Sequence, residues 1–380
     1  MRRVLGIVVR ASIAVVLALV VAAGGWAAWG TYWNPTVAVR PPLRSHRPGD
    51  GLHASLTFGG DFGPVPPGDR WIRRRGRLWP YGPTARMFQQ ADLAFANLET
   101  PITESRDRFP LPKAWIYKID PSWTTEFQWL GLDVLSIANN HVSDYRDRGV
   151  VDTVRTLRRA AILPLGAGVN EPEARRGAIV DVGGLRIGFV GYLEDRTNYG
   201  LYYRSYAIGG TTGCARLVAS DVTEDVRRLR RLSDFVVASV HWGDNYTPTS
   251  DHQRSSARLL ADAGVDLIVG HHPHDVQEAA WIGHTLVLYS IGNWAWGALG
   301  SKNLRVGLVA RVRIARGEIT GPARLETVDL VPLATQNRLI HYRARPLRQD
   351  ERAWLIPFLQ ATRAAGTEVR EGATLRLPLP

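Results

Sequence analysis

From about His53 onward the chain alternates short apolar runs with amphipathic segments, and polar residues recur where the apolar runs end. ASLTFGGD reads as a strand closing on Asp61, TARMFQQA as a short helix, and DLAFANLE as a second strand running into Glu99. DPSWTTEFQWLG predicts a helix with Asp120 as N-cap, Pro121 in the first turn and Gly131 as its stop. The strand DVLSIANNH, the helix DRGVVDTVRTLRRAA and the short strand ILPLGAG come next, and AIVDVGGLRIGFVGYL predicts a hairpin turning at Gly183-Gly184. The helix SDVTEDVRRLRRL, the strand DFVVASVHWGD, the helix DHQRSSARLLADAG and the strand VDLIVGHHPH continue the alternation. HTLVLYSIGNW and LRVGLVARVRI close it as strands. Past about Thr335 the pattern fades, and EGATLRLPLP reads as a loose end. Continuous apolar strands between helices imply a sheet buried on both faces. That is an α/β layered domain over residues 53–335, with a C-terminal extension over 336–380.

A different pattern precedes the domain. ASIAVVLALVVAAGGWAAW runs about nineteen residues without a charge, roughly the span of a bilayer core. Arg2, Arg3 and Arg10 precede it, so the positive-inside rule puts the N-terminus in the cytoplasm and the rest outside. Trp26, Trp29 and Trp33 fall where an interfacial aromatic belt would lie. Residues 1–30 are expected to be an N-terminal transmembrane helix, with a cleavable signal peptide as the competing reading. Residues 31–52, rich in Pro and Arg, read as a tether. Either reading places the domain on the extracytoplasmic side of the cell membrane.

Composition narrows the chemistry. With 45% hydrophobic and 22% charged residues, wholesale disorder is excluded. The net charge of +12 suits polyanions or an anionic membrane surface, or reflects arginine scattered over the surface. No aromatic-plus-basic signature points to nucleic acid, which is set aside as a partner. The single Cys214 rules out an internal disulfide and any cysteine-rich zinc site, so metal ligands would have to be His, Asp, Glu and Asn.

Those residue types gather at strand ends: Asp61; Asn97 and Glu99; Asn139, Asn140 and His141; His241; and His271, His272 and His274. Taken singly, each has a plain explanation. Asp61 could cap a turn, His141 could cap the helix beginning near Asp147, and His241 could stack on Trp242. Open α/β sheets collect their sites at the carboxyl ends of strands, so the five groups are expected to meet. Imidazole with carboxylate suits Zn, Mn, Fe or Co. His46, His53, His252, His284 and His341 show no clustering and read as structural or solvated. Trp115, Trp123 and Trp129 have the spacing of a helical core face, Trp294 and Trp296 could line the mouth of a site, and the RRLRRL and RTLRR faces read as solvated.

The series GDFG, ANLETPIT, LSIANNHVSDYRDRG, VHWGDNY, VGHHPHDVQ and LYSIGNW, from about His53 to Trp294, resembles the CapA family of bacterial poly-γ-glutamate capsule biosynthesis proteins. That family is similar in fold to the calcineurin-like metallophosphoesterases. The resemblance implies a sandwich of two packed mixed β-sheets flanked by helices around a site for two divalent ions, Mn, Fe or Zn. It implies Asp61 as the first-strand carboxylate ligand, Glu99 as the bridging acid, and Asn97 and Asn139 as neighbours that orient the ligands. Asn140 resembles the amide ligand and His141 the catalytic histidine. His241 looks like a single-histidine ligand. His272 and His274 resemble the closing pair, with His271 competing with His272 for one place. The chain carries Gly63 where phosphoesterases carry a second first-strand ligand, a departure that CapA proteins share. Implied partners are an anionic polymer, the membrane, and membrane synthase or export subunits. Three functions follow as expectations: a metal-dependent CapA-type protein in polymer synthesis or export, an extracytoplasmic phosphoesterase, or a non-catalytic assembly factor.

Overall fold

The computed structural model describes residues 50–110, 112–298, 305–318, 321–362, 368–369 and 374–379. The expected membrane anchor or signal peptide, and nearly all of the tether, lie outside the described residues. Among the described residues no helix is long and apolar enough to cross a membrane.

The main strands are β1 (His53–Gly63), β2 (Leu93–Leu98), β3 (Val134–Ser136), β4 (Leu163–Leu165), β5 (Ala178–Val182), β6 (Leu185–Glu194) and β7 (Phe235–His241). They continue with β8 (Leu267–His271), β9 (Ala279–Ile282), β10 (Thr285–Leu288), β11 (Asn293–Trp296), β12 (Val306–Ala315), β13 (Arg324–Ala334) and β14 (Leu375–Arg376). One sheet runs β14-β13-β12-β1-β2-β3-β4, with β11 paired to the end of β1. Its β1 to β4 half is parallel, and β12 and β13 are antiparallel additions. The other runs β9-β10-β8-β7-β6-β5 and is parallel from β10 to β6. In each sheet the parallel strands therefore deliver their carboxyl ends to one edge.

Three apolar layers hold the sheets. Phe58, Phe95, Phe189, Val237 and Val269 are among the side chains filling the space between them, and the Phe95 and Phe189 rings stack with centroids 6.1 Å apart. On the outer face of the first sheet lie α1 (Asp69–Arg75), α2 (Ala85–Gln89), α3 (Thr124–Leu130) and α4 (Arg146–Arg159), packed through residues such as Ile72, Phe88, Phe127 and Leu157. On the outer face of the second lie α5 (Ala219–Arg230) and α6 (Asp251–Ala263), packed through Val226 and Leu260. The result is four layers, α/β/β/α, each sheet covered on both faces as the apolar runs require.

Local signals held where their chemistry is specific. Asp120 accepts a hydrogen bond from the Ser122 amide at 2.8 Å, and Gly131 stops α3 at φ 72°. Gly183 and Gly184, at φ 64° and 95°, turn the β5–β6 hairpin. Other expectations need correction. Leu375 at the expected loose end is buried and pairs with β13, and Arg376 binds Asp329 at 2.6 Å. β13 itself was not foreseen: its second half is buried on both faces and carries Pro332, so no period-2 alternation marks it. Trp115 and Trp129 are 63% and 46% exposed, whereas Trp123 is buried. The three do not share a helix, since only Trp129 lies in α3, so helical spacing does not apply to them.

Candidate metal centre

Every residue singled out at the strand ends reaches one place. Asp61 lies two residues before the end of β1, and its backbone amide bonds the Gly292 carbonyl at 3.0 Å, which draws β11 alongside and sets Asn293 opposite Asp61. Gly60 permits that approach, because a Cβ there would lie 1.9 Å from the Gly292 oxygen. Asn97 donates to Asp61 at 2.8 Å, and Asn139 donates to the Leu98 carbonyl at 2.8 Å, tying the β2 and β3 ends together. His241 and His271 are paired residues at the ends of β7 and β8. His272 and His274 follow at φ 98° and 57°, a left-handed conformation that side-chain-bearing residues adopt at a cost of order 1–3 kcal/mol each.

The side chains form two groups that share Glu99: Asp61, Glu99 and His274, and Glu99, His241 and His272. His274 Nδ1 lies 3.3 Å from Asp61 and its Nε2 3.7 Å from Glu99. His241 Nε2 lies 3.6 Å from Glu99 and 3.1 Å from the Asn140 side-chain oxygen. His271 Nδ1 lies 3.4 Å from Asp61, so both members of the His271/His272 ambiguity reach the centre, on different sides of it. All six charged or ionisable members are buried.

Burial opposes the charge on Asp61, yet the imidazoles of His271 and His274, 3.4 and 3.3 Å away, hold it well below the usual carboxylate range. Burial drives Glu99 well above that range, against the pull of His274 and with the help of Asp61. His241 is driven well below its ordinary value by burial and by neighbouring His272. Burial and the charge on His274 take His272 down to about 3. His274 rises to about 9 despite burial, because Glu99 and Asp61 stabilise its cation. Both Glu99 oxygens, both His271 ring nitrogens, and Nδ1 of His241 and of His272 find no hydrogen-bond partner among the described residues. Buried polar atoms are rarely left so, and an uncompensated buried ion costs several kcal/mol. Imidazole, carboxylate and amide atoms converging around shared, orphaned ligand atoms fit a divalent cation.

His141 stands beside this group and outside both ligand sets. Its Nδ1 meets Asp144 at 2.7 Å; Asp144 also binds Lys113 and accepts from the Tyr117 amide at 2.7 Å. Lys113 in turn donates to the Asn140 carbonyl at 2.6 Å. Asp144 therefore fixes the ring and leaves Nε2 as the nitrogen available for proton exchange. Burial lowers the His141 pKa, with Asp144 opposing. His141, His272 and His274 open onto a cavity of about 670 Å³, walled by aromatic side chains including Trp115, Tyr199 and Trp296. Trp296 stacks on His274 at 5.5 Å, as expected for a residue at the mouth, while Trp294 is core, stacked on Phe88 at 4.1 Å.

Sequence reasoning missed Asp144, Lys113 and Asn293. Asp144 was readable three residues after His141 in HVSD. Asn293, inside the noted IGNW string, meets His274 Nδ1 at 2.9 Å. Lys113 carried no local signal, because the loop that brings it in has no periodicity.

Fold and site together define a four-layer α/β protein with a buried carboxylate–histidine centre beneath an aromatic-walled cavity. The chain belongs to the bacterial capsule synthesis protein PGA_cap family, whose profile matches residues 55–297. It is 30% identical over 295 residues to a protein of Mycobacterium tuberculosis named "Probable polyglutamine synthesis accessory protein", covering 73% of this chain and 74% of the relative. It is 26% identical to the capsule biosynthesis protein CapA of Bacillus anthracis, covering 70% of this chain and 64% of that protein. To the PGA biosynthesis protein CapA of Bacillus subtilis it is 27% identical, covering 55% and 54%.

Proposed function

We propose that this is a membrane-anchored, extracytoplasmic CapA-type protein that acts in the synthesis or export of poly-γ-glutamate or a related anionic envelope polymer, through a metal-dependent hydrolase-like site. The observation that carries the reading is the pair of buried carboxylate–histidine groups sharing Glu99, with orphaned ligand atoms. The polymer rests on family membership and on the names of the relatives. The anchor rests on the charge-free segment after Arg10. A sandwich related to calcineurin-like metallophosphoesterases agrees with the four layers and with the order of the motifs.

In this reading Asp61, His271 and His274 would hold one ion and Asn140, His241 and His272 a second, with Glu99 available to both groups. Such ions would supply Lewis acidity and bring the pKa of water toward neutrality. His141, held by Asp144, exchanges a proton at Nε2 with the leaving atom, and groups in this role contribute about 10²–10⁴-fold. The cavity walls hold the substrate over the centre and limit its water. The bond cleaved is a phosphoester or a γ-glutamyl amide.

A non-catalytic assembly role is the second reading, and the buried Lys113–Asp144–His141 arrangement opening on a cavity favours catalysis over it. The full chain, supplied with Mn, Fe or Zn, is assayed against phosphoesters and γ-glutamyl peptides, wild type beside His141→Ala. The catalytic reading expects turnover to fall about 10²–10⁴-fold with metal content unchanged. Polymer production in cells that is indifferent to His141→Ala would support the assembly role instead.

A further inference from the structure

Beside the cavity lies a surface whose charges are not balanced. Arg70, Arg74 and Arg75 on α1, and Arg338 and Arg343 near the end of the chain, are exposed. The acids nearby are already engaged: Asp69 binds Arg73 at 2.5 Å and Glu126 binds Arg77 at 3.0 Å. Among the described residues no carboxylate is paired with the other five arginines. This differs from the RRLRRL face of α5, where Arg228 binds Asp225 and Arg230 binds Asp266.

The patch is built rather than incidental. The Arg75 and Arg343 guanidiniums lie over the Trp79 ring, 5.3 and 4.5 Å from its centroid, so both are within cation–π reach of one indole. Trp79 Nε1 donates to the His341 carbonyl at 2.9 Å, and the His341 ring packs on Trp71 at 4.5 Å. The shared indole restrains both guanidiniums, and guanidinium N–H groups that no carboxylate engages suit bidentate carboxylate binding. The patch is also continuous with the site. The Gly68 amide, just before α1, bonds the Gly297 carbonyl at 3.0 Å, and Asn337 Nδ2 donates to the Trp296 and Ala298 carbonyls at 2.8 and 3.0 Å. Trp296 and Ala298 line the cavity.

We propose that this arginine–tryptophan patch is a binding track for a linear polycarboxylate, which holds the polymer beside the cavity that receives one of its units. The proposal rests on the reading of the cavity as a substrate site. A chain with a carboxylate on every unit matches several unpaired guanidiniums at once, and continuity with the cavity gives it a direction. Each exposed contact is worth little alone, roughly two- to threefold, so the affinity comes from their number.

The test uses the full chain with poly-γ-glutamate as the probe, and compares wild type with Arg75→Gln/Arg338→Gln/Arg343→Gln and with Arg70→Glu/Arg74→Glu. The second variant leaves the Trp79 stack untouched, so it reports even if the first fails to fold. Wild type is expected to bind with an affinity that falls as salt rises, and each variant to bind several-fold to about tenfold more weakly while keeping the metal content of wild type. Metal content read on the same preparations separates failure of the track from failure of the metal centre. Undiminished polymer binding by both variants would overturn the proposal. So would variants that hold polymer normally but lose preference for phosphatidylglycerol over phosphatidylcholine vesicles, since the patch would then serve lipid.

Discussion

Asp144 does for His141 what Asn293 does for His274: each takes one ring nitrogen of a buried imidazole and so decides which nitrogen meets the reaction space. Asp144→Asn keeps the shape but removes the anionic acceptor and leaves Lys113 without its counter-charge. Turnover is expected to fall up to about 10²-fold, less than for His141→Ala, with metal content retained, as steady-state kinetics beside metal analysis would read. Gly60 shows the same dependence in the backbone. Gly60→Ala drives a methyl group into the Gly292 carbonyl and must separate β1 from β11, which displaces Asp61 from Asn293. A loss of about 2–3 kcal/mol in denaturant unfolding is expected, and a loss below about 0.5 kcal/mol would contradict the close approach.

Among the elements, legibility followed burial symmetry. β1, β2, β7 and β8, buried on both faces and ending in polar residues, were plain in the sequence, and so were their carboxyl-end ligands. β13 was not, because its burial changes from alternating to continuous toward Pro332, and β14 was not, because it is only two residues long. α1 escaped notice because DRWIRRR buries only Ile72 and offers no apolar stripe. The segment after β13 is held through Arg345 and Glu351, at 2.6 Å. The hydrogen bond from Arg345, against a modest burial cost, lowers Glu351 from 4.5 to about 2. A carboxyl whose folded pKa is depressed stabilises the fold above its unfolded pKa. That contribution is therefore full above about pH 4.5 and is lost as pH falls toward 2. Glu351→Gln is expected to cost about 0.5–1 kcal/mol at neutral pH, and nothing once the pH is well below 2. Acid unfolding curves for the two proteins should converge; parallel curves would contradict the assignment.

At the scale of the whole molecule, two parallel half-sheets from distant parts of the chain present their strand ends to each other. Asp61 is thereby brought against the amide of His272, 211 positions later, at 3.2 Å. Sequence alone could collect the ligand types, since strand ends share an edge, but the two-group geometry around Glu99 comes from how the sheets face each other. The aromatic cavity, lined from both halves of the chain, is a product of that packing as well.

The measurement that tests this account most directly is metal content by mass spectrometry on the purified full chain, wild type beside His274→Ala. One to two equivalents of Mn, Fe or Zn in wild type, lost or sharply reduced in the variant, is the predicted result. A well-folded wild type that holds no divalent metal, even after metal is added back, would contradict the centre at Glu99.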